Sequence, residues 1–360
     1  MAREHNFSAG PAALPEPVIR EAQEALWELP GAGAGVLEIS HRGKVFDAVV
    51  HSARDRLRRL LGLAEDQEVL FLHGGARTQF YQVPLNLLRG GRAAYVETGA
   101  WSTYAIDDAR RYGEVDVVWS SRETGFDRVP ARGDLPPLAS GTRYLHYTSN
   151  NTIYGGQFDH VPDPGDAWLV CDASSDILSR PVDGARFDLL YAGAQKNLGP
   201  SGVTVVVVRR GLLDHCDPEL PSMLRYPVQV AKESMLNTPS TFAIFVVERV
   251  CAWIEAEGGV AEMARRTEAR AQQLYGAIDA SDFWTGRVQP ASRSRMNVAF
   301  RTPSADLDAR FVAEAEAAGL RGLKGHRSAG GLRASLYNAQ TDAAVEALVA
   351  FMADFEVRHG

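Results

Sequence analysis

Short apolar runs of five to seven residues recur between residues 68 and 208, separated by stretches of helical periodicity. They constrain the fold more than any other feature. "EVLFL" (68–72) is followed by "ARTQFYQVPLNLL" (76–88), and "RAAYVE" (92–97) by "WSTYAIDDARRYG" (101–113). Further runs are "RYLHYT" (143–148), "AWLVCDA" (167–173), "DLLYAGA" (188–194) and "VTVVVV" (203–208). Runs this apolar suit strands buried on both faces, so the pattern predicts an α/β fold with a mainly parallel sheet covered by helices. Ahead of the first run, "PEPVIREAQEALWEL" (15–29) reads as a helix with a proline-rich start, and "GKVFDAVVHSARDRLRRLLGL" (43–63) as a longer amphipathic one.

Beyond residue 258 the rhythm changes. A long helix at "GGVAEMARRTEARAQQLYGAI" leads to a strand at "RMNVAF" (295–300). A helix at "DLDARFVAEAEAAGL", a strand near "LRASL" (332–336) and a last helix at "DAAVEALVAFMADFEV" follow. The expected organisation is a large domain over 15–257 and a smaller α+β domain formed by 1–14 with 258–360. A chain of 360 residues, 45% of them hydrophobic, can bury two such cores.

The net charge of −7 gives no basic surface for a nucleic-acid backbone. No apolar stretch approaches membrane-span length, and "MAREHNFSAGPAALP" has no signal-peptide core. The three cysteines, Cys171, Cys216 and Cys251, show no metal-ligand spacing. These features lead us to expect a cytoplasmic protein without metal, membrane or nucleic-acid partner.

Ligands of parallel α/β sheets bind beyond the carboxyl ends of the strands, and three features fall there. Asp172 closes "AWLVCDA", where a carboxylate needs a cationic partner. Lys196 follows the next run in "YAGAQKNLGPSG", among small neighbours. The turn "HGGART" (73–78) precedes a helix and offers backbone N–H groups to an anion. Each alone has an ordinary structural reading: a loop cap, a surface lysine, a common turn. Together they fit pyridoxal 5′-phosphate. The lysine bonds the aldehyde, the aspartate keeps the ring nitrogen protonated and the turn holds the phosphate. Trp101, in "ETGAWSTY", can supply a stacking face.

"RFDLLYAGAQKNLGPSGVTVVVVRR" (186–210) resembles the lysine region of the phosphoserine aminotransferases, class-V members of the fold-type I pyridoxal enzymes. "NFSAGPAALP" (6–15), "SHRGKVF" (40–46), "FLHGGARTQF" (71–80), "DASSDILSRPVD" (172–183), "MLNTPSTFAI" (235–244), "SRMNVAF" (294–300) and "KGHRSAGGLRASLYNA" (324–339) are similar to the same family in the same order. The resemblance implies that Lys196 binds the cofactor covalently and Asp172 faces its pyridine nitrogen. Thr152 and Gln195 contact the cofactor and Trp101 stacks on it. Its phosphate is implied to lie at Ala76 and Arg77, with Asn237 and Thr238 reaching over from a partner subunit of a homodimer with shared active sites. The family often has glycine at position 76, and a methyl group there is tolerable if φ is negative.

The family transfers an amino group from L-glutamate to 3-phosphohydroxypyruvate, giving O-phospho-L-serine and 2-oxoglutarate. It also handles a phosphorylated four-carbon analogue of vitamin B6 synthesis. By the same resemblance, Arg333 binds the α-carboxylate. His41 and Arg42, with His326 and Arg327, bind the distal phosphate or γ-carboxylate. Alanine stands at position 9, where some relatives have serine, so no side-chain contact is assigned to it. The alternative is another fold-type I enzyme, such as an alanine– or serine–glyoxylate aminotransferase, which needs no second anion site. A cysteine desulfurase would need a cavity cysteine that no motif here supplies. A catalytically idle relative would lack the lysine, the aspartate or the arginine, and all three are present.

Overall fold

The structure is a computed structural model that describes residues 3–360. A seven-stranded sheet forms its centre. From edge to edge the strands are Gln67–His73, Val203–Arg209, Leu189–Gly193, Trp168–Asp172, Thr142–Thr148, Arg92–Glu97 and Glu114–Ser120. Val203–Arg209 runs antiparallel to both of its neighbours, and every other pairing is parallel. The valine run is buried on both faces, as its lack of alternation predicts.

Two elements escape the apolar-run pattern. Glu114–Ser120 is an edge strand, bonded only to Arg92–Glu97, and is half exposed along its length. Its Glu114 and Asp116 take the two arms of Arg92 at 2.6 and 2.8 Å, so charge interrupts its apolar pattern. The helix Thr241–Ala256 is hidden for the opposite reason. It packs against the helices Glu16–Trp27, Lys44–Leu61 and Gly259–Asp279, so it is apolar around most of its circumference and shows little periodicity.

The smaller unit is built on the antiparallel strands Thr285–Gly286, Asn297–Arg301 and Leu332–Ser335. The helices Gly259–Asp279, Ala305–Ala317 and Asp342–His359 bury Trp284, Phe300, Phe311 and Phe355 against it. His5–Asn6 pairs in parallel with Leu320–Arg321, and Phe7 enters that same core. The first residues and the last hundred therefore share one apolar cluster. Among the described residues, no helix is long and apolar enough to cross a membrane.

Candidate active site

Every parallel strand of the large sheet ends on the same side, and the chain returns there with residues that carry chemistry. Because Val203–Arg209 is antiparallel to Leu189–Gly193, the link 194–202 stays at the carboxyl end instead of crossing the sheet. Lys196 projects from that link. Asp172 ends its own strand, and Thr152 follows Thr142–Thr148. Trp101 opens the helix Ala100–Ala109 after Arg92–Glu97. The 73–76 turn follows Gln67–His73 and is tied across the edge by the Gly74 N–H donating to the Gly202 carbonyl at 3.1 Å. The sheet thus brings together groups as far apart in sequence as the 73–76 turn and Lys196.

Lys196 Nζ donates to Thr152 Oγ1 at 2.6 Å and lies 5.5 Å from the centre of the Trp101 ring. Burial is the largest influence on its amine, bringing the pKa down to about 8; Asp172 and Asp176 oppose the shift and Arg333 adds to it. Asp172 is also buried, which raises its carboxyl, while Lys196 and Ser174 pull it back toward the anion. One of its oxygens accepts from the Ser174 N–H at 3.0 Å and from the Ser174 hydroxyl at 2.5 Å. Among the described residues its other oxygen has no donor, which leaves it for a cationic ring N–H.

Pyridoxal 5′-phosphate fits this arrangement. Trp101 Nε1 and Gln195 Oε1 are buried without a protein partner. At Gly193 a side chain would begin 2.7 Å from Gln195 Oε1 and 3.1 Å from the Ala76 N–H nitrogen, so the missing Cβ lets the Gln195 side chain and the 73–76 turn close in over the strand end. Ala76 caps the helix Arg77–Leu87 with φ of −53°, so its methyl group costs no backbone strain. Arg77 is exposed, with its guanidinium 4.8 Å from the Tyr104 ring centre.

Arg333 lies on Leu332–Ser335 of the smaller sheet and reaches the same site. Its Nη1 donates to the Thr152 carbonyl at 3.3 Å, and its Nε is buried without a partner. Burial lowers its pKa. His326 is held below the ordinary histidine value by burial first, then by the charges of Arg333 and Arg327. Arg327 is exposed. Among the described residues, neither arginine forms an ion pair.

His41, Arg42, Asn237 and Thr238 make no hydrogen bond with Lys196, Asp172 or Arg333. They precede the amino ends of two neighbouring helices. The helices Lys44–Leu61 and Thr241–Ala256 run parallel, since Ser52 and Arg56 bond Glu248 at 2.8 and 2.9 Å while Arg59 bonds Glu255 at 2.9 Å. The Thr241 hydroxyl donates to the Val36 carbonyl at 2.7 Å, which fixes the amino ends side by side. Arg42, Asn237 and Thr238 are exposed at that end, and His41 Nε2 is buried without a partner.

Three contributors were not read from the sequence. Asp176, four residues beyond Asp172 in the turn that follows its strand, is buried and accepts from the Ser149 hydroxyl and from Gln157 Nε2 at 3.1 Å. Asn197, beside the lysine, accepts from the Asn338 N–H at 2.9 Å and donates to the Ile177 carbonyl at 2.6 Å. Tyr337 Oη donates to the Ala9 carbonyl at 2.8 Å. Asp176 and Asn197 stand close to Asp172 and Lys196 in the chain, a signal that motif reading passes over. Tyr337 carries none until the ends of the chain are folded together.

The fold, the lysine and the aspartate define a fold-type I pyridoxal 5′-phosphate enzyme. The model of the aminotransferase class-V family matches residues 5–348, and the chain belongs to that family. Within it, the chain falls among the phosphoserine aminotransferases. The enzyme of that name from Desulfatibacillum aliphaticivorans is 50% identical over 361 residues, covering 99% of each sequence. The one from Pseudomonas aeruginosa (strain LESB58) is 50% identical over 359 residues with the same coverage. The solved phosphoserine aminotransferase from Bacillus circulans subsp. alkalophilus superposes with a TM-score of 0.97 at 46% identity over 99% of both chains. A PLP-bound phosphoserine aminotransferase from Trichomonas vaginalis gives 0.91 at 38% identity, over 98% of this chain and 100% of its own.

A buried amine with pKa near 8 should be far more nucleophilic at neutral pH than an exposed lysine. In cofactor-free protein, acylation of Lys196 by an amine-specific reagent, followed by peptide mass spectrometry, should rise with pH through a midpoint near 8. Labelling with a midpoint near the ordinary 10.5 would remove the electrostatic account of the site.

Proposed function

We propose that this chain moves an amino group from L-glutamate to 3-phosphohydroxypyruvate, the phosphoserine aminotransferase reaction of serine biosynthesis. The observation that carries the substrate reading is that Arg333 and Arg327, on the smaller unit's side of the site, have no carboxylate partner among the described residues. Arg333 is half-buried beside Thr152 with an unpartnered Nε, and His326 sits within the field of Arg333 and Arg327. Two arginines left without an acidic partner suit a substrate with an anion at each end.

Pyridoxal 5′-phosphate, when bound, supplies the electron-accepting ring and the carbonyl carbon that carries the amino group between the two substrates. The protein's part follows from its residues. Arg333 orients the α-carboxylate through its planar fork. Lys196, poised near neutrality, removes the proton from the substrate Cα and returns a proton in the second half of the cycle. Thr152 holds the amine in place, and Asp172 keeps a proton on the ring nitrogen. Trp101 covers the ring, Gln195 lines its edge, and Ala76 with Arg77 offers the phosphate a helix amino terminus. His41, Arg42, His326 and Arg327 receive the phosphate or γ-carboxylate. The phosphorylated four-carbon acid of vitamin B6 synthesis presents the same two anions.

The active form is read as a homodimer with shared sites in the cytoplasm. His41 and Arg42 precede the helix Lys44–Leu61, and Asn237 and Thr238 precede Thr241–Ala256, whose amino ends lie side by side where a second subunit can bring them to its partner's cofactor. All three cysteines are free, in keeping with a reducing compartment. The division into 15–257 and 1–14 with 258–360 is supported by the pairing of His5–Asn6 with Leu320–Arg321 and by Phe7 in the smaller core.

The substrate assignment is tested by the visible spectrum of the holoenzyme. O-phospho-L-serine should convert it fully to the pyridoxamine form, and L-alanine and L-serine hardly at all. Equal conversion by all three would overturn the distal-anion reading. The shared site is tested by mixing two inactive variants, Lys196→Ala and Arg42→Ala, under conditions that exchange subunits. About a quarter of wild-type activity should return if random pairing makes half the dimers mixed, each with one intact site. No recovery would place Arg42 in its own subunit's site.

A further inference from the structure

Residues 325–331 form a tight turn that carries His326 and Arg327. The Ala329 and Gly330 N–H groups donate to the His326 carbonyl at 2.9 and 2.8 Å, and the Gly325 N–H donates to the Gly331 carbonyl at 2.9 Å. His326 Nδ1 lies 2.7 Å from the Ser328 hydroxyl. All of these bonds stay inside the turn. Among the described residues, one hydrogen bond reaches residues 326–330 from outside: Arg287 Nη1 donates to the Ala329 carbonyl at 3.1 Å. Behind the turn lies open space, a cavity of about 280 Å³ whose walls include Arg287, Phe300, Thr302, Ala305, Gly330 and Gly331. Packing on that side therefore does little to hold the turn.

Arg287 is itself fixed from several directions. Its Nη2 donates to the Gly125 carbonyl at 3.1 Å, and its backbone N–H to the Ala299 carbonyl at 3.0 Å. The guanidinium lies 4.8 Å from the centre of the Tyr154 ring, and Tyr154 packs on Phe126 at 4.9 Å. Ala100, Phe126, Ile153 and Tyr154 form a small apolar cluster that touches both Trp101 and Ala329. Tyr154 is two residues beyond Thr152, the partner of Lys196. One guanidinium thus joins the large sheet's loops, the cofactor-facing segment and the turn of the smaller unit.

We propose that Arg287 is a positioning residue for substrate selection. It clasps the Ala329 carbonyl so that His326 and Arg327 face the distal anion of the bound substrate. The clasp needs an arginine, because two separate carbonyls, one on each terminal nitrogen, and an aromatic face call for a planar fork. An ammonium group can serve only part of that set. This inference rests on the reading that the 326–327 pair receives the phosphate or γ-carboxylate.

Single-turnover kinetics of the holoenzyme with O-phospho-L-serine, L-glutamate and L-alanine test it. Arg287→Met should raise the half-saturating concentration of both dianionic donors about tenfold, the scale of one charge-assisted hydrogen bond. The limiting rate should stay within about twofold, and the slow reaction with L-alanine, which has no distal anion, should be unchanged. Arg287→Lys should recover part of the loss. Tyr154→Leu, which removes the ring face but neither carbonyl, should shift the same two donors by less, and it serves if Arg287→Met does not fold. Equal losses with all three donors, or no loss with any, would overturn the proposal. Arg327→Met separates the layers. If it weakens the dianionic donors while Arg287→Met does not, the clasp alone fails. If it too has no effect, the distal-anion reading of the turn fails and the clasp with it.

Discussion

A lysine amine and two carboxylates are buried together at the strand ends, and the rest of the structure is arranged around what that burial requires. Lys196, Asp172 and Asp176 would each be costly alone in such a place. They are tolerated because each charge has an opposite within reach and because hydrogen bonds take up what remains. Ser174 serves Asp172, Ser149 and Gln157 serve Asp176, and Thr152 serves Lys196. The balance is not complete. Burial outweighs attraction for both partners, so the amine is easier to deprotonate and the acids easier to protonate than in water. A group that must hold and release protons near neutral pH needs that residual tension.

The second requirement is closure. The large sheet supplies Lys196, Asp172 and the 73–76 turn, but Arg333 arrives from the smaller unit. Bonds between the units carry it there, among them Asn338 N–H to Asn197, Asn338 Nδ2 to the Leu178 carbonyl, and Arg333 to the Thr152 carbonyl. The amino-terminal segment helps twice. Phe7 is part of the smaller core, and the Ala12 N–H donates to the Gln195 carbonyl at 2.9 Å, next to the lysine. Both ends of the chain therefore bear on a site whose chemistry was set by its middle.

Six of the seven strands could be read from the sequence because burial on both faces leaves unbroken apolar runs. Glu114–Ser120 could not, since an edge strand carries charges to the solvent. Thr241–Ala256 could not, since a helix enclosed by three others loses its polar stripe. The site was legible to the same degree and for a related reason. Lys196, Asp172 and the 73–76 turn stand at strand ends, where position alone suggests a role. His41, Arg42, Asn237 and Thr238 were reachable only by resemblance, and the fold adds that they precede the neighbouring amino ends of two parallel helices. Asp176, Asn197 and Arg287 act through partners distant in sequence or through neighbours already assigned a role, so no local pattern marks them. The alanine at position 76 was a departure from the family that only φ could resolve, and at −53° it is an ordinary residue in an ordinary conformation.

The central claim is that Lys196, out of the four lysines in the chain, is the one joined to the cofactor. Borohydride reduction of the holoenzyme followed by proteolysis and mass spectrometry tests it directly. The account predicts a phosphopyridoxyl group on the peptide containing Lys196 and none on those containing Lys44, Lys232 or Lys324. A label on any of the other three, or no label on protein that retains its visible absorbance, would contradict it.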